Sequence, residues 1–310
     1  MAMERVIPVQ VPDIMDISKV ESELKEKGIT ASQIQEYKEF LKEVNSRVMS
    51  HPVIQTNEYS MWFAKGELTF ADVRHMVQQF SVFSHLFLIA AMKKMINARS
   101  IETYRATKEI LANEIGVIYR NRKKAMPKSH ELSDDDSQEE GIDPKYAETQ
   151  GTVDGGVFRF KAAHYEWLLR MGEHLDLGFD DMGKPWVGTD KTIFFCDELA
   201  RLYGSEDPNI AEGSSFAVEN WAAAGFWKEL VSGLEKFIAK ESNPKVKNMP
   251  IAFFTYHDKL EGQHAEHVAD ELAEVYFEEG FDREKFITGG IEMLDGVKAF
   301  WDGLNNDRKK

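Results

Sequence analysis

A chain of 310 residues, 43% hydrophobic and 29% charged, can bury a substantial core and has the composition of an ordinary globular protein. Its net charge of −15 argues against a nucleic-acid partner, since phosphate binding calls for a basic surface. A single cysteine, Cys196, excludes an internal disulfide framework and suits a reducing cytoplasm.

The opening residues, MAMERVIPVQVPD, hold no apolar core of the signal-peptide kind, and no apolar run reaches the roughly 18 residues that span a bilayer. A cytoplasmic location is therefore expected. Residues 31–49 read as a helix with Thr30 as cap and Gln33 completing a capping box. Residues 70–98 form a long, strongly apolar helix entered through Thr69 and Asp72. Another helix opens after Ser100 and runs to about 120. Within it, Glu114 lies in the apolar run Ile110 to Ile118. A carboxylate there costs several kcal/mol unless paired or bound. The alternative is a solvated stripe shared with Lys108 and Glu109.

Residues 125–155 are polar, acidic and rich in turn formers, and a surface loop insertion is expected. Much of the negative charge gathers at residues 131–148, in Glu131, Asp134, Asp135, Asp136, Glu139, Glu140, Asp143 and Glu148 against Lys145 alone. Helices resume at about 157–176, 187–203, 210–240, 249–279 and 283–303. Gly204 and Gly280 serve as stops and Asp282 as the last cap. No linker divides the chain, so one all-α domain over 1–310 is expected. It comprises an N-terminal extension with a first helix (1–66), the acidic insertion, and a bundle whose amphipathic helices bury their stripes against one another.

The most informative segment is Phe253 to His264. On a helix, positions i, i+4 and i+7 fall within roughly 60° of arc. His257, Glu261 and His264 therefore share one face, and two imidazoles with one carboxylate suit iron, zinc or manganese. The rival reading is a solvated face, which Asp258, Lys259, Gln263 and Glu266 support. A bundle metal site draws ligands from several facing helices. His164 lies among Phe160, Trp167, Leu168 and Met171, and reads either as a ligand or as a core histidine bonded to a carbonyl; Glu166 is expected to be exposed. Glu219 stands beside the small residues Ala222, Ala223, Ala224 and Gly225, which leave room for a ligand. Three carboxylates would cancel most of the +4 charge of two ferrous ions and can bridge them, which favours two metals over a single zinc.

In this order, Glu114 in Asn-Glu-x-Gly, His164 in His-Tyr-Glu-x-x-Leu, Glu219, and then His257, Glu261 and His264 resemble the haem-oxygenase-like diiron oxidases and oxygenases over roughly residues 70–275. Two departures stand out. Glu261 occupies a place where that family usually has Asp. The interval from Glu114 to His164 is lengthened by the acidic insertion, which ligand positions tolerate because loop-closure entropy grows slowly with length.

The resemblance implies a bundle of about seven core helices. It implies two iron ions held by Glu114, His164, Glu219, His257, Glu261 and His264, with the three glutamates at the reacting centre and O2 as co-substrate. It also implies oxidation of a small amine or amino-acid-like molecule, by N-oxygenation or oxidative C–C or C–N cleavage, in natural-product biosynthesis. An external electron donor or reductase enters as a partner. A homodimer is the commonest soluble assembly. A substrate carboxylate would draw on Arg159, Lys161 or Arg170; Tyr165 and Tyr256 adjoin ligands, with packing as their simpler role. His85 stands as an extra ligand or supporting residue. Three rival readings remain: a haem oxygenase with His51 or His85 as the haem ligand, a thiaminase-like hydrolase with Cys196 as nucleophile, and a non-enzymatic helical scaffold whose acidic loop docks partners.

Overall fold

The computed structural model describes residues 17–118, 159–160, 162–264 and 268–309; the side chains of 18, 19, 102, 118, 159, 160, 260–264 and 268–271 lie outside that description. The fold is all-α. Ser18–Glu26 (α1) and Ala31–Val44 (α2) lead through a π-helical turn, Asn45–Met49, into two short helices, Pro52–Gln55 (α3) and Glu58–Phe63 (α4). Then come Phe70–Asn97 (α5), Ile101–Glu114 (α6), His164–Glu173 (α7), Asp190–Leu202 (α8), Pro208–Ala222 (α9), Phe226–Lys240 (α10), Pro244–Lys247 (α11), Ala252–His264 (α12), Val268–Tyr276 (α13) and Arg283–Asp307 (α14). One minimal antiparallel ladder pairs Val117 with Phe160 and Ile118 with Arg159. Among the described residues no helix is long and apolar enough to cross a membrane.

The helix starts follow from local chemistry. Thr30 and Gln33 form the expected capping box, and Thr69 and Asp72 form a second, each satisfying backbone N–H groups that the first turn leaves open. Asp282 caps α14 by accepting from the N–H groups of Glu284 and Lys285. Several expected spans end early. The helix after Ser100 stops at Glu114, because Gly116 takes a left-handed φ of 73° and turns the chain into the ladder. The span 210–240 is two helices, because Gly225 adopts φ 94° between Ala222 and Phe226. The span from 157 begins as a helix only at His164.

α5 is the spine, packed against α6, α7 and α8; α14 packs against α8 and α9, and α10 against α12 and α4. The core between them is aromatic. Phe80 touches Phe83, Trp227, Phe253, Phe254, Phe300 and Trp301, with centroids 5.3–6.4 Å apart. Such pairs add roughly 0.5–1.5 kcal/mol each beyond area burial.

One carboxylate ties α10 to α4: Ser60 Oγ donates to Glu229 Oε2 in a very short contact. Burial raises the Glu229 carboxyl from its ordinary 4.5, and the Ser60 hydrogen bond offsets this only in part. A raised folded-state value means that this stabilisation is complete below the unfolded value and fades as pH rises through the folded one. Glu229→Gln keeps an acceptor for Ser60 and removes the charge. We expect it to be more stable than the wild type at neutral pH by about 0.5–1 kcal/mol, with the gain absent near pH 4. Thermal melts at the two pH values check this.

Candidate metal centre

Three of the expected ligands converge. One ligand atom from each of Glu114, His164 and His257 lies within 4.8 Å of the other two. They arrive from three elements: Glu114 is the last helical residue of α6, His164 the first of α7, and His257 stands in the second turn of α12. The two helix ends are joined by the ladder between Val117–Ile118 and Arg159–Phe160, which holds α6 and α7 in register however long the insertion between them is.

The donor atoms do not form a finished hydrogen-bond network among themselves. His164 Nδ1 lies 3.1 Å from Glu114 Oε2, yet the approach lacks the alignment of an N–H···O bond, and Nδ1 is buried with no hydrogen-bond partner. A buried, unpartnered polar atom is costly and calls for an explanation; a bound cation would supply one. His257 Nδ1 lies 2.7 Å from the Phe253 carbonyl. As donor to that carbonyl, it leaves Nε2 as the unprotonated nitrogen of the neutral ring, the arrangement by which metal-binding histidines are commonly oriented. The His164 and His257 rings meet edge to face at 4.9 Å. Trp167 packs on His164 at 5.1 Å, and Trp227 stacks on His257 at 4.7 Å and 19°, so the rings are held from outside.

Electrostatics point the same way. Burial by itself raises the Glu114 carboxyl, but the charge and contact of His164, and then the charge of His257, hold it below its usual value. Its side chain keeps 16% exposure and that of His164 only 4%. A carboxylate and two imidazoles, with His164 buried and Glu114 and His257 half-buried, suit a divalent cation of the iron, zinc or manganese kind.

Glu219 lies outside this tight group. It accepts from Ser215 Oγ at 3.2 Å, one turn earlier on α9. Its charge acts on the buried phenol of Tyr203, which burial raises most, followed by Glu219, with Glu212 and Glu114 adding to the effect. Lys94, buried on α5, pairs with Glu212 at 3.2 Å and sits 4.7 Å over the Tyr203 ring. Tyr203 thus lies within the field of both Glu219 and Glu114, with Lys94 over its ring. Neither stood out in the sequence, where Tyr203 reads as the residue before a helix stop and Lys94 as the polar end of an apolar run.

The helical backbone of α12 is continuous to His264, which preserves the spacing of His257, Glu261 and His264; the side chains of Glu261 and His264 lie outside the described residues. So do the side chain of Arg159 and all of Lys161. Arg170 is half-buried on α7, about 120° around the helix from His164. Glu166, expected to be exposed, instead accepts from the Ala163 N–H at 3.2 Å and fixes the start of α7. Tyr165 donates to the Met182 carbonyl at 2.7 Å and stacks on His85 at 4.0 Å, while His85 Nδ1 lies 3.1 Å from the Gly183 carbonyl. Tyr256 reaches Asn113 Oδ1 at 3.4 Å, next to Glu114 in the chain.

The other nucleophile and haem-ligand candidates are occupied differently. His51 Nδ1 accepts from the Val53 N–H, and its Nε2 lies 3.3 Å from Asp295. Cys196 is buried, and burial pushes its thiol up to about 12, with Asp197 adding to the rise. A thiol in that state supplies almost no thiolate at neutral pH. Alkylation of Cys196 by iodoacetamide is expected only after unfolding, and Cys196→Ala is expected to leave metal binding unchanged; rapid labelling of the native protein would revive the thiol mechanism.

Compared with known proteins, the chain matches no family model, and no curated protein matches it.

Proposed function

We propose that the chain is a non-haem, metal-dependent oxidase or oxygenase of the haem-oxygenase-like diiron type, using O2 to oxidise a small amine or amino-acid-like substrate. One observation carries the reading: Glu114, His164 and His257 bring their donor atoms together where the buried His164 Nδ1 has no hydrogen-bond partner. In this reading Glu114, His164 and His257 hold one iron. Glu219, with Glu261 and His264 from the far end of α12, completes the set for a second. When bound, a ferrous pair supplies the electrons and Lewis acidity that O2 chemistry requires.

The chain's own residues do the rest. The Phe253 carbonyl fixes the His257 tautomer, and Trp227 and Trp167 fix the planes of the two imidazoles. The aromatic wall of Phe253, Trp227 and Trp167 excludes water on that side and keeps the electrostatics strong. Ser215 orients the Glu219 carboxylate. Tyr256 stands at the margin of the site, its ring 5.4 Å from His164, close enough to shape what binds there.

The test is O2 uptake by the ferrous-loaded protein against a panel of amines, amino acids and fatty acids. Uptake that depends on iron and is stimulated by one of these classes supports the reading. No iron-dependent uptake with any class counts against it.

A further inference from the structure

A line of rings runs from His257 to the protein surface. Trp227 stacks on His257 at 4.7 Å and meets Phe226 at 4.5 Å. Phe226 meets Trp301 at 5.4 Å, Trp301 meets Tyr59 at 5.7 Å, and Tyr59 meets Trp62 at 5.4 Å. Trp227, Phe226, Trp301 and Tyr59 are buried, and Trp62 is half-exposed, with the Arg308 guanidinium 4.2 Å over its ring. Aromatic pairs pack cores for ordinary reasons. One feature separates this line from packing alone: it ends on an imidazole of the proposed centre at one end and at the surface at the other. The indole N–H groups of Trp227 and Trp301 are buried without hydrogen-bond partners, as is that of Trp221 beside the line.

We propose that Trp227, Trp301 and Trp62 form an electron route between the proposed metal centre and the surface, with the Phe226 and Tyr59 rings bridging them; its role in catalysis rests on the metal reading. Indole is among the most easily oxidised side chains, and rings in van der Waals contact pass an electron in short steps. One electron leaves the Trp227 ring for a centre oxidised by O2. The vacancy moves to Trp301 and then to Trp62, where a one-electron donor from solution or a reductase fills it. No bond breaks. At Trp227 and Trp301 the indole protons stay in place because no acceptor faces them, so each inner vacancy is an indole radical cation that can move on without waiting for a proton. Arg308 over Trp62 disfavours a positive ring at the surface, which makes an oxidised Trp62 the strongest acceptor of the line for a donor's electron.

The test runs on the metal-free full-length chain, so that its outcome is separate from that of the metal reading. Met61 is exposed, and the sole native cysteine, Cys196, is buried. Met61→Cys therefore allows a ruthenium polypyridyl photo-oxidant to be attached beside Trp62. After flash oxidation, peptide mass spectrometry maps the oxidised tryptophans, with exposed Trp186 reporting diffuse oxidation. We expect oxidation products at Trp301 and Trp227. The Trp227 products should fall by an order of magnitude in Trp301→Phe, which keeps a ring but removes an oxidisable station. Trp62→Phe, at a half-exposed position, makes the same interruption if Trp301→Phe does not fold, and should lower both inner products. Unchanged Trp227 oxidation in the interrupted variants, or none in the parent, overturns the route and leaves the metal reading standing. Failure of iron to bind, with photo-oxidation still reaching Trp227, has the opposite meaning.

Discussion

His164→Ala is expected to lose its stoichiometric iron while keeping its helicity. His164 is the first residue of α7, where alanine is well tolerated, so the backbone has little reason to change. The loss falls on the site. Glu114 is held as a carboxylate chiefly by His164, against a burial penalty that stays behind when the imidazole goes. Removing one partner of a fully buried pair costs roughly 3–5 kcal/mol. Glu114 keeps 16% exposure, so about 1–3 kcal/mol is expected for the apoprotein. Anaerobic iron titration and a urea melt read the two effects separately. His75→Ala is the control: His75 pairs with Asp307 at 3.2 Å, and iron binding should be unaffected. Full iron binding by His164→Ala would remove that residue from the site.

Gly213→Ala is expected to be among the most destabilising single methyl additions in the chain. A Cβ at Gly213 would lie 1.9 Å from the Phe286 carbonyl oxygen and 2.7 Å from its carbon. Both are backbone atoms of α14 and cannot swing aside as a flexible side chain would. The contact is mutual, since a Cβ on Gly289 would lie 2.5 Å from the Ile210 carbonyl oxygen of α9. The two helices touch backbone to backbone, and a methyl forces them apart along their packed length. Overpacking usually costs roughly 1–3 kcal/mol and occasionally more; the backbone clash places this case at or above the top, about 3 kcal/mol. Because α9 carries Glu219, the proposed function predicts weaker retention of a second iron alongside the loss. A urea midpoint within error of wild type would show that the α9–α14 contact yields easily.

The sequence reading succeeded where the deciding physics is local. Capping at Thr30, Thr69 and Asp282 depends on residues three positions apart, and all three caps form as expected. Breaks governed by a single backbone conformation escaped it. Gly225 follows three alanines and reads as one more small residue in a helix, yet it takes a left-handed φ that ends α9 and starts α10 at a new angle. Gly116 likewise makes Glu114 a helix end instead of a mid-helix residue, and from there its carboxylate lies 3.1 Å from His164. Glu114, His164 and His257 could be picked out because each combines a polar group with an apolar neighbourhood. That they meet is implied only by the resemblance, since no local pattern carries a contact that depends on a ladder formed across the insertion. Trp227, Tyr203 and Lys94 gave no signal of their own, because their importance lies in what they touch on other helices.

The most direct test of the central claim locates the metal. Crystals of the protein loaded anaerobically with ferrous iron, measured at the iron absorption edge, should show anomalous density within bonding distance of Glu114, His164 and His257, with a second peak on the side of Glu219. Iron absent from that cluster, or bound only at surface carboxylates, would contradict the account.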